Sequence, residues 1–131
     1  MKPVTISFFS QANRLLLEAD VMIDVGLFEA AGRNAYLAGC FAARRLIFED
    51  RDKVTSQHRR LWGDLTSVLQ SRGLNDAALT SFLPNTYSLK RVADYETGSS
   101  EITEERIEKV VADAGEYVKH LQKVAETPRQ S

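Results

Sequence analysis

The chain has 131 residues, of which 44% are apolar and 27% charged, and its formal net charge is −1. This length suits a single domain over residues 1–131, with a core spanning about residues 5–125 and a tail at residues 127–131. The near-zero net charge excludes a molecule whose whole surface attracts nucleic acid.

A single cysteine, Cys40, excludes an intrachain disulfide and points to a reducing compartment. The N-terminus lacks a signal-like apolar run, and no stretch approaches the roughly 18 uninterrupted apolar residues of a membrane span. We therefore expect a cytoplasmic protein. The sequence also lacks a phosphate-cradling glycine loop and any cysteine or histidine pair at metal-ligand spacing, so we expect neither a cofactor nor a metal.

Two helix patterns fill the first part of the chain. Apolar residues recur at spacings of three and four from about residue 5 to residue 25, and Gly26 suits the end of that helix. The second pattern, about residues 27–48, is small on nearly every side because alanine and glycine dominate it. Small side chains let neighbouring backbones approach closely, so this helix is predicted to lie at the centre of the fold.

Three further helices are predicted after a charged connector at residues 49–53. Thr55 or Ser56 is the expected cap of the third helix, which closes near residue 72. The fourth covers about residues 76–97, where Pro84 should kink or restart it. A loop follows at residues 98–100, and Thr103 is the expected cap of the last helix. No strand pattern is sustained anywhere, so the sequence predicts an all-α domain of about five helices.

Charge is unevenly placed along the chain. Residues 44–60 carry six basic and three acidic residues, whereas residues 94–116 carry eight acidic and two basic ones. Zones of opposite sign on a small domain suit an oriented partner or a self-complementary dimer. Two solvated helix faces are the alternative interpretation.

The stretch at residues 89–98 concentrates groups able to bind or react. Helical spacing sets Lys90 four residues from Asp94 and Arg91 four residues from Tyr95, which gathers them along one side of a helix. We predict that Arg91, Asp94 and Tyr95 share a pocket or groove with Lys90 at its rim. A basic residue, Arg91 or one from a neighbouring helix, should hold Asp94, because a buried carboxylate needs a partner. A purely structural salt-bridge cluster is the alternative.

Further candidate site residues lie outside that stretch. His58 has a reference pKa near neutrality and is a candidate for moving protons, although a polar residue at a helix start is the commoner case. Arg59 and Arg60 are candidates for phosphate contacts, together with Arg91. Tyr36 is a candidate to stack on a base, as is Tyr95, although a tyrosine tied into a core hydrogen bond is more common.

The order of these features resembles the HEPN-domain family. The resemblance is carried by residues 26–38 with the following alanine pair, by His58 after a basic connector, and by residues 87–95. The likeness is to small single-domain bacterial HEPN proteins. It implies an up-and-down helical bundle that usually dimerises and is linked to RNA or nucleotides. Many members are metal-independent endoribonucleases, often toxins paired with a nucleotidyltransferase-like antitoxin.

The chain departs from the nuclease pattern of that family. Nuclease members carry an arginine followed four to six residues later by a histidine, and no histidine follows Arg91 at that distance. Close relatives tend to have Phe-His before the alanine pair, where this chain has Cys40 and Phe41. We therefore expect an RNA- or nucleotide-associated binding or partner protein, of the kind found in toxin–antitoxin pairs. A metal-independent endoribonuclease, with Arg91 and His58 as candidate catalytic residues, and a non-enzymatic dimerisation scaffold stay open as alternatives.

Overall fold

The computed structural model of the chain describes residues 3–74, 76–95 and 102–128. Five helices occupy these ranges: α1 (Pro3–Asp24), α2 (Phe28–Arg51), α3 (His58–Ser71), α4 (Ala77–Tyr95) and α5 (Glu104–Glu126). The predicted all-α helical bundle of about five helices is confirmed. The predicted loop at residues 98–100 and residues 129–131 of the predicted tail lie outside the described residues.

The central position predicted for α2 is confirmed, because α2 contacts each of the other four helices. Its small residues let these neighbours approach closely. At Gly39 a Cβ atom would stand 2.9 Å from Cδ2 of Leu83 and 3.1 Å from Cε2 of Phe82, so α4 passes directly over this position. The alanine and glycine positions of α2 are therefore covered by helices of the same chain.

The start of α3 differs from the prediction. The helix begins at His58, and the preceding residue, Gln57, adopts an extended conformation without a capping side-chain bond. Thr55 instead closes a short turn before the helix, since its Oγ1 accepts a hydrogen bond from the Gln57 amide at 3.3 Å. At α5 the predicted cap is confirmed: Oγ1 of Thr103 accepts from the Arg106 amide at 3.2 Å.

Helix α4 runs without a restart through Pro84. The proline is exposed, whereas Leu79 and Leu83 are buried on the other side of the same helix. The hydroxyl of Thr86 donates to the carbonyl of Phe82 at 2.7 Å, which satisfies a backbone acceptor close to the proline. The burial of Leu79 and Leu83 against the bundle thus keeps the helix continuous where propensity alone favours a break.

One end of the bundle is fastened by Arg72, the residue that follows α3. Its Nε and Nη2 donate to the two carboxylate oxygens of Asp50 at 2.8 and 2.7 Å. Its Nη1 donates to the carbonyls of Val124 and Thr127 at 2.7 and 2.9 Å. The side chains of Arg72 and Asp50 are only 8% and 2% exposed. This group, called the Arg72 latch below, ties the ends of α2, α3 and α5 together.

None of the described helices combines the length and the apolar character that crossing a bilayer requires.

Candidate functional site

Four rings from three helices meet on one side of α2. Tyr36 of α2, His58 and Trp62 of α3, and Tyr87 of α4 form this group, called the aromatic cluster below. Neighbouring ring centroids lie 5.0 to 5.4 Å apart, which is within the range where aromatic pairs attract. His58 and Trp62 are four residues apart, so one face of α3 presents both rings to α2.

Tyr36 is the buried centre of the cluster, with 0% of its surface exposed. Its hydroxyl oxygen accepts a hydrogen bond from Nε1 of Trp62 at 3.1 Å and lies 2.7 Å from Nδ1 of His58. Burial raises the pKa of Tyr36, so the hydroxyl keeps its proton, and the direction of its hydrogen bond with Nδ1 is set by the imidazole tautomer. The expectation of a core hydrogen bond is confirmed. The ring of Tyr36 is not accessible to a base in this structure.

The hydrogen bond with Tyr36 engages one ring nitrogen of His58, Nδ1. Burial is the main cause that lowers the pKa of His58 below 6.5, and the positive charges of Lys90 and Arg44 act in the same direction. The negative charge of Asp94 opposes them. The ring is therefore neutral at neutral pH. Nε2 makes no hydrogen bond to any group in the described part of the chain, which leaves this nitrogen available to a ligand.

Asp94 is held by two cations. Nζ of Lys90, one turn earlier on α4, lies 2.5 Å from Oδ2, and Nε of Arg33 on α2 donates to Oδ1 at 2.9 Å. The hydrogen bond from Lys90 is the largest cause that lowers the pKa of Asp94 below its usual value, so the carboxylate stays charged. The prediction that a base from a neighbouring helix holds Asp94 is confirmed, and Arg33 is that base.

The remaining candidates lie around this cluster. Arg91 is exposed and makes no ion pair or hydrogen bond with another side chain in the ranges described, so of the two alternatives for holding Asp94 it is not the one formed. Arg59 and Arg60 are exposed in the first turn of α3, directly after His58. The side chain of Tyr95 lies outside the described residues. The structure thus brings Lys90 and Asp94 near His58 and leaves Arg91 apart from them.

Several basic residues of the zone at residues 44–60 make contacts with other residues of the chain. Arg44 donates from Nε to the carbonyl of Thr55 at 2.9 Å, which holds the connector before α3 against α2. Lys53 pairs with Asp64 at 3.3 Å. Arg45 is 1% exposed and lies over the ring of Phe9. The other basic residues of this zone make similar contacts or remain at the surface; Arg59 and Arg60 belong to the second group.

Cys40 is a buried thiol beside this cluster. Burial raises its pKa to about 11, so the sulfur stays protonated at neutral pH. A protonated, buried thiol is neither a nucleophile nor a metal ligand. Cys40 therefore packs as a small buried apolar residue.

Four side chains of this site were not predicted as site residues from the sequence: Arg33, Arg44, Trp62 and Tyr87. Trp62 lies in the predicted apolar side of the third helix, and its one-turn spacing from His58 was the available signal. Arg33 and Arg44 are eleven residues apart on α2, three helical turns, so both follow one side of that helix. No local sequence pattern shows which neighbouring helix packs against that side of α2.

No protein-family model matches the chain, and no curated protein is similar enough to count as a relative. Within the described ranges, no group of three or more histidine, cysteine, aspartate or glutamate side chains is arranged to hold a metal ion.

Proposed function

We propose that this protein binds RNA or a nucleotide through phosphate groups at one surface, formed by His58, Arg59, Arg60 and Lys90 and called the His58 surface below. The observation that carries the proposal is the fixed imidazole. The Tyr36 hydroxyl, which itself accepts a hydrogen bond from Trp62, holds the ring at Nδ1, and Nε2 has no partner among the described groups. A fixed imidazole among cations suits a phosphate oxygen when Nε2 carries the proton.

The local charge supports an anionic ligand. Lys90 and Arg33 together bring two positive charges to the single carboxylate of Asp94. Lys90 and Arg44 both act on His58 as positive charges, and Arg59 and Arg60 extend the same sign into solvent. An excess of cations at one side of a nearly neutral molecule attracts phosphate without requiring a basic molecule overall.

The geometry at His58 favours binding over catalysis. Metal-independent RNA cleavage needs one group to take the 2′-OH proton and another to protonate the leaving oxygen. Nδ1 of His58 is occupied by the Tyr36 hydroxyl, so the ring offers a ligand a single nitrogen, Nε2, where cleavage needs two proton-transfer groups. One observation favours the endoribonuclease alternative. Lys90 is close enough to His58 to lower its pKa. In a nuclease, a phosphate-binding cation would lie beside a proton-transfer group in the same way.

The partners expected from the HEPN resemblance belong to the same proposal. We propose a HEPN-like subunit that acts with a partner, either a second copy or a nucleotidyltransferase-type antitoxin. A gene for a small nucleotidyltransferase beside the gene of this protein would support the toxin–antitoxin interpretation. Co-expression of the two proteins followed by size-exclusion chromatography would then test the pairing directly.

The binding proposal is tested with a labelled mixed-sequence RNA by fluorescence anisotropy over a range of salt concentrations. We expect salt-sensitive binding by the native protein. The variant Arg59→Ser/Arg60→Ser should lower the slope of log affinity against log salt by about 0.7 for each lost phosphate contact. The matched control is Lys109→Ser/Lys119→Ser, which removes two exposed lysines of α5 and should leave the slope unchanged.

The same samples distinguish the alternatives when cleavage is followed with a chelator present. Little or no cleavage is expected from the native protein. Robust RNA degradation that is lost in Arg91→Ala or His58→Ala would replace the binding proposal with the endoribonuclease. Equal losses of affinity in the two double variants would show that binding is not localised at the His58 surface. Neither binding nor cleavage would favour the scaffold.

A further inference from the structure

A groove with an apolar floor runs between α1 and α5. Leu16 and Ile23 of α1 and Val111 of α5 form its floor. Ala112 and Gly115 line its α5 side, and a Cβ atom placed on Gly115 would meet nothing within 4 Å. The space between the two helices is about 550 Å³. This space, called the α1–α5 groove below, is open to another structural element.

Carboxylates line both sides of the α1–α5 groove. Asp20 and Asp24 stand one turn apart on α1, and Glu108 and Glu116 lie on α5. The first three form no ion pair with any residue of the ranges that the structure describes. Glu116 reaches Lys119 at only 3.9 Å, and both of these side chains are largely exposed. Four carboxylates against the one ammonium group of Lys119 leave an excess of negative charge.

The other exposed groups of α1 do not cancel this excess. Successive residues of a helix are about 100° apart, so Arg14, Glu18 and Val25 project at least about 120° away from Asp20. They therefore lie outside the α1–α5 groove. On α5, Lys109 is paired with a carboxylate one turn later. The negative charge of the groove is thus available to an incoming cation.

We propose that the α1–α5 groove binds a basic amphipathic helix of a partner protein, whose apolar side chains lie on the floor while its lysines and arginines face the carboxylates. Ala112 and Gly115 are three residues apart, and such small residues let a helix approach closely. The spacing of Asp20 and Asp24 matches basic residues placed one turn apart on that helix. Leu17 is 68% exposed and lies about 20° around α1 from Asp24, so it extends the apolar contact beyond the groove.

The chemistry of the occupant follows from how the charges are spread. Among the described residues, these carboxylates do not form a group that could hold a metal ion. Separate positive side chains, one near each carboxylate, are therefore the better match. Helix α1 contacts α2 and α5 but neither α3 nor α4, so a helix bound in the groove leaves the His58 surface open. The inference is independent of the proposed RNA binding.

The charge requirement is tested by fluorescence anisotropy with a labelled synthetic helix of about 18 residues, built of leucine at spacings of three and four and of lysine elsewhere. The native protein should bind it, and should not bind the counterpart with glutamate for lysine. Asp20→Asn/Glu108→Gln should lower the affinity about fivefold, because one exposed charge pair is lost on each side of the groove. The matched control, Glu18→Gln/Asp113→Asn, removes the same charge from the same two helices outside the groove and should bind like the native protein.

The place of binding is tested by filling the groove while every carboxylate is kept. Gly115→Leu puts a side chain into the open space and should lower the affinity for the lysine peptide by at least about tenfold. Gly63→Leu is the matched control, because Gly63 on α3 also has nothing within 4 Å of the added Cβ. It should leave the affinity unchanged.

Four results would overturn the proposal. The first is a native protein that does not bind the lysine peptide, and the second is an equal loss of affinity in the two charge variants. The third is a Gly115→Leu variant that binds like the native protein. The fourth is self-association of the native chain in analytical ultracentrifugation that Asp20→Asn/Glu108→Gln abolishes, which would make a second copy the occupant. Thermal unfolding of every variant checks that the fold is retained, as expected for exposed positions.

Discussion

Tyr36 and Trp62 fix the position of the His58 ring through two consecutive hydrogen bonds. The indole N–H of Trp62 can only donate, so it must point at the oxygen of Tyr36. The same oxygen lies 2.7 Å from Nδ1 of His58. Because the Tyr36 hydroxyl engages Nδ1, Nε2 is the nitrogen of the imidazole that remains for a ligand.

The lowered pKa of His58 predicts how stability depends on pH. The unfolded chain takes up the His58 proton near pH 6.5, whereas the folded protein takes it up only at lower pH, because burial disfavours the charged ring. The contribution of His58 to stability is thus fully present above 6.5 and is lost as pH falls through the lower pKa. His58→Gln should unfold at a temperature that changes less between neutral pH and about pH 5 than that of the native protein.

The control for this prediction is His120→Gln. His120 is exposed on α5, so its replacement should keep the native pH dependence. If His58→Gln and the native chain lose stability in parallel as pH falls, the ring is not held neutral by its surroundings.

Each helix could be predicted from its own sequence, whereas the contacts it makes with other helices could not. The three-and-four spacing of apolar residues predicted all five helices, and the small residues of α2 predicted its central position. The start of α3 was missed because Thr55 bonds within the connector instead of capping the helix. The helix does not restart at Pro84 because the burial of Leu79 and Leu83 holds α4 against the bundle. Both differences arise from contacts that helix propensity does not describe.

Substitution by alanine should have opposite effects on the free energy of unfolding at two helical glycines of this chain. Gly39→Ala should cost about 1–3 kcal/mol of unfolding free energy, because the new methyl group would stand 2.9 Å from Leu83 in a packed region. Gly115→Ala, in the middle of α5, meets nothing within 4 Å and should stabilise the protein by about 0.5–1 kcal/mol through helix propensity. Urea unfolding measures both changes.

The pair is its own control, since each variant adds one methyl group to a helix interior. A Gly39→Ala variant as stable as Gly115→Ala would mean that α4 shifts away from α2 without cost, and the close packing of these two helices would then not be a stabilising feature.

At the scale of the whole molecule, the Arg72 latch is the contact most expensive to break. Replacement by methionine, Arg72→Met, leaves the buried carboxylate of Asp50 without this cation and removes the bonds to the end of α5. Breaking a buried ion pair by removing one partner costs about 3–5 kcal/mol, so urea should unfold this variant at much lower concentration. Lys109→Met, which breaks an exposed pair, should unfold like the native protein. Similar midpoints for the two variants would contradict the role of the latch.

Only part of the candidate site could be predicted from the sequence. Lys90 and Asp94 stand one turn apart on α4, and that spacing was sufficient to pair them. Arg33, Tyr36 and His58 reach the same place from two other helices, and only the packing of α2 against α3 and α4 brings them there. Arg91 follows Lys90 directly in the chain, but successive residues of a helix point about 100° apart, so the two do not share a partner.

Arg72 also sets which changes of length the chain tolerates. Its guanidinium reaches the ends of α2 and α5 from the end of α3. One extra residue inside any of these helices would turn its end by about 100° and advance it by about 1.5 Å, out of register with the other two. Insertions should therefore be rejected within α2, α3 and α5, while the connector between Asp52 and Gln57, which precedes the latched segment of α3, offers a place where the chain can lengthen.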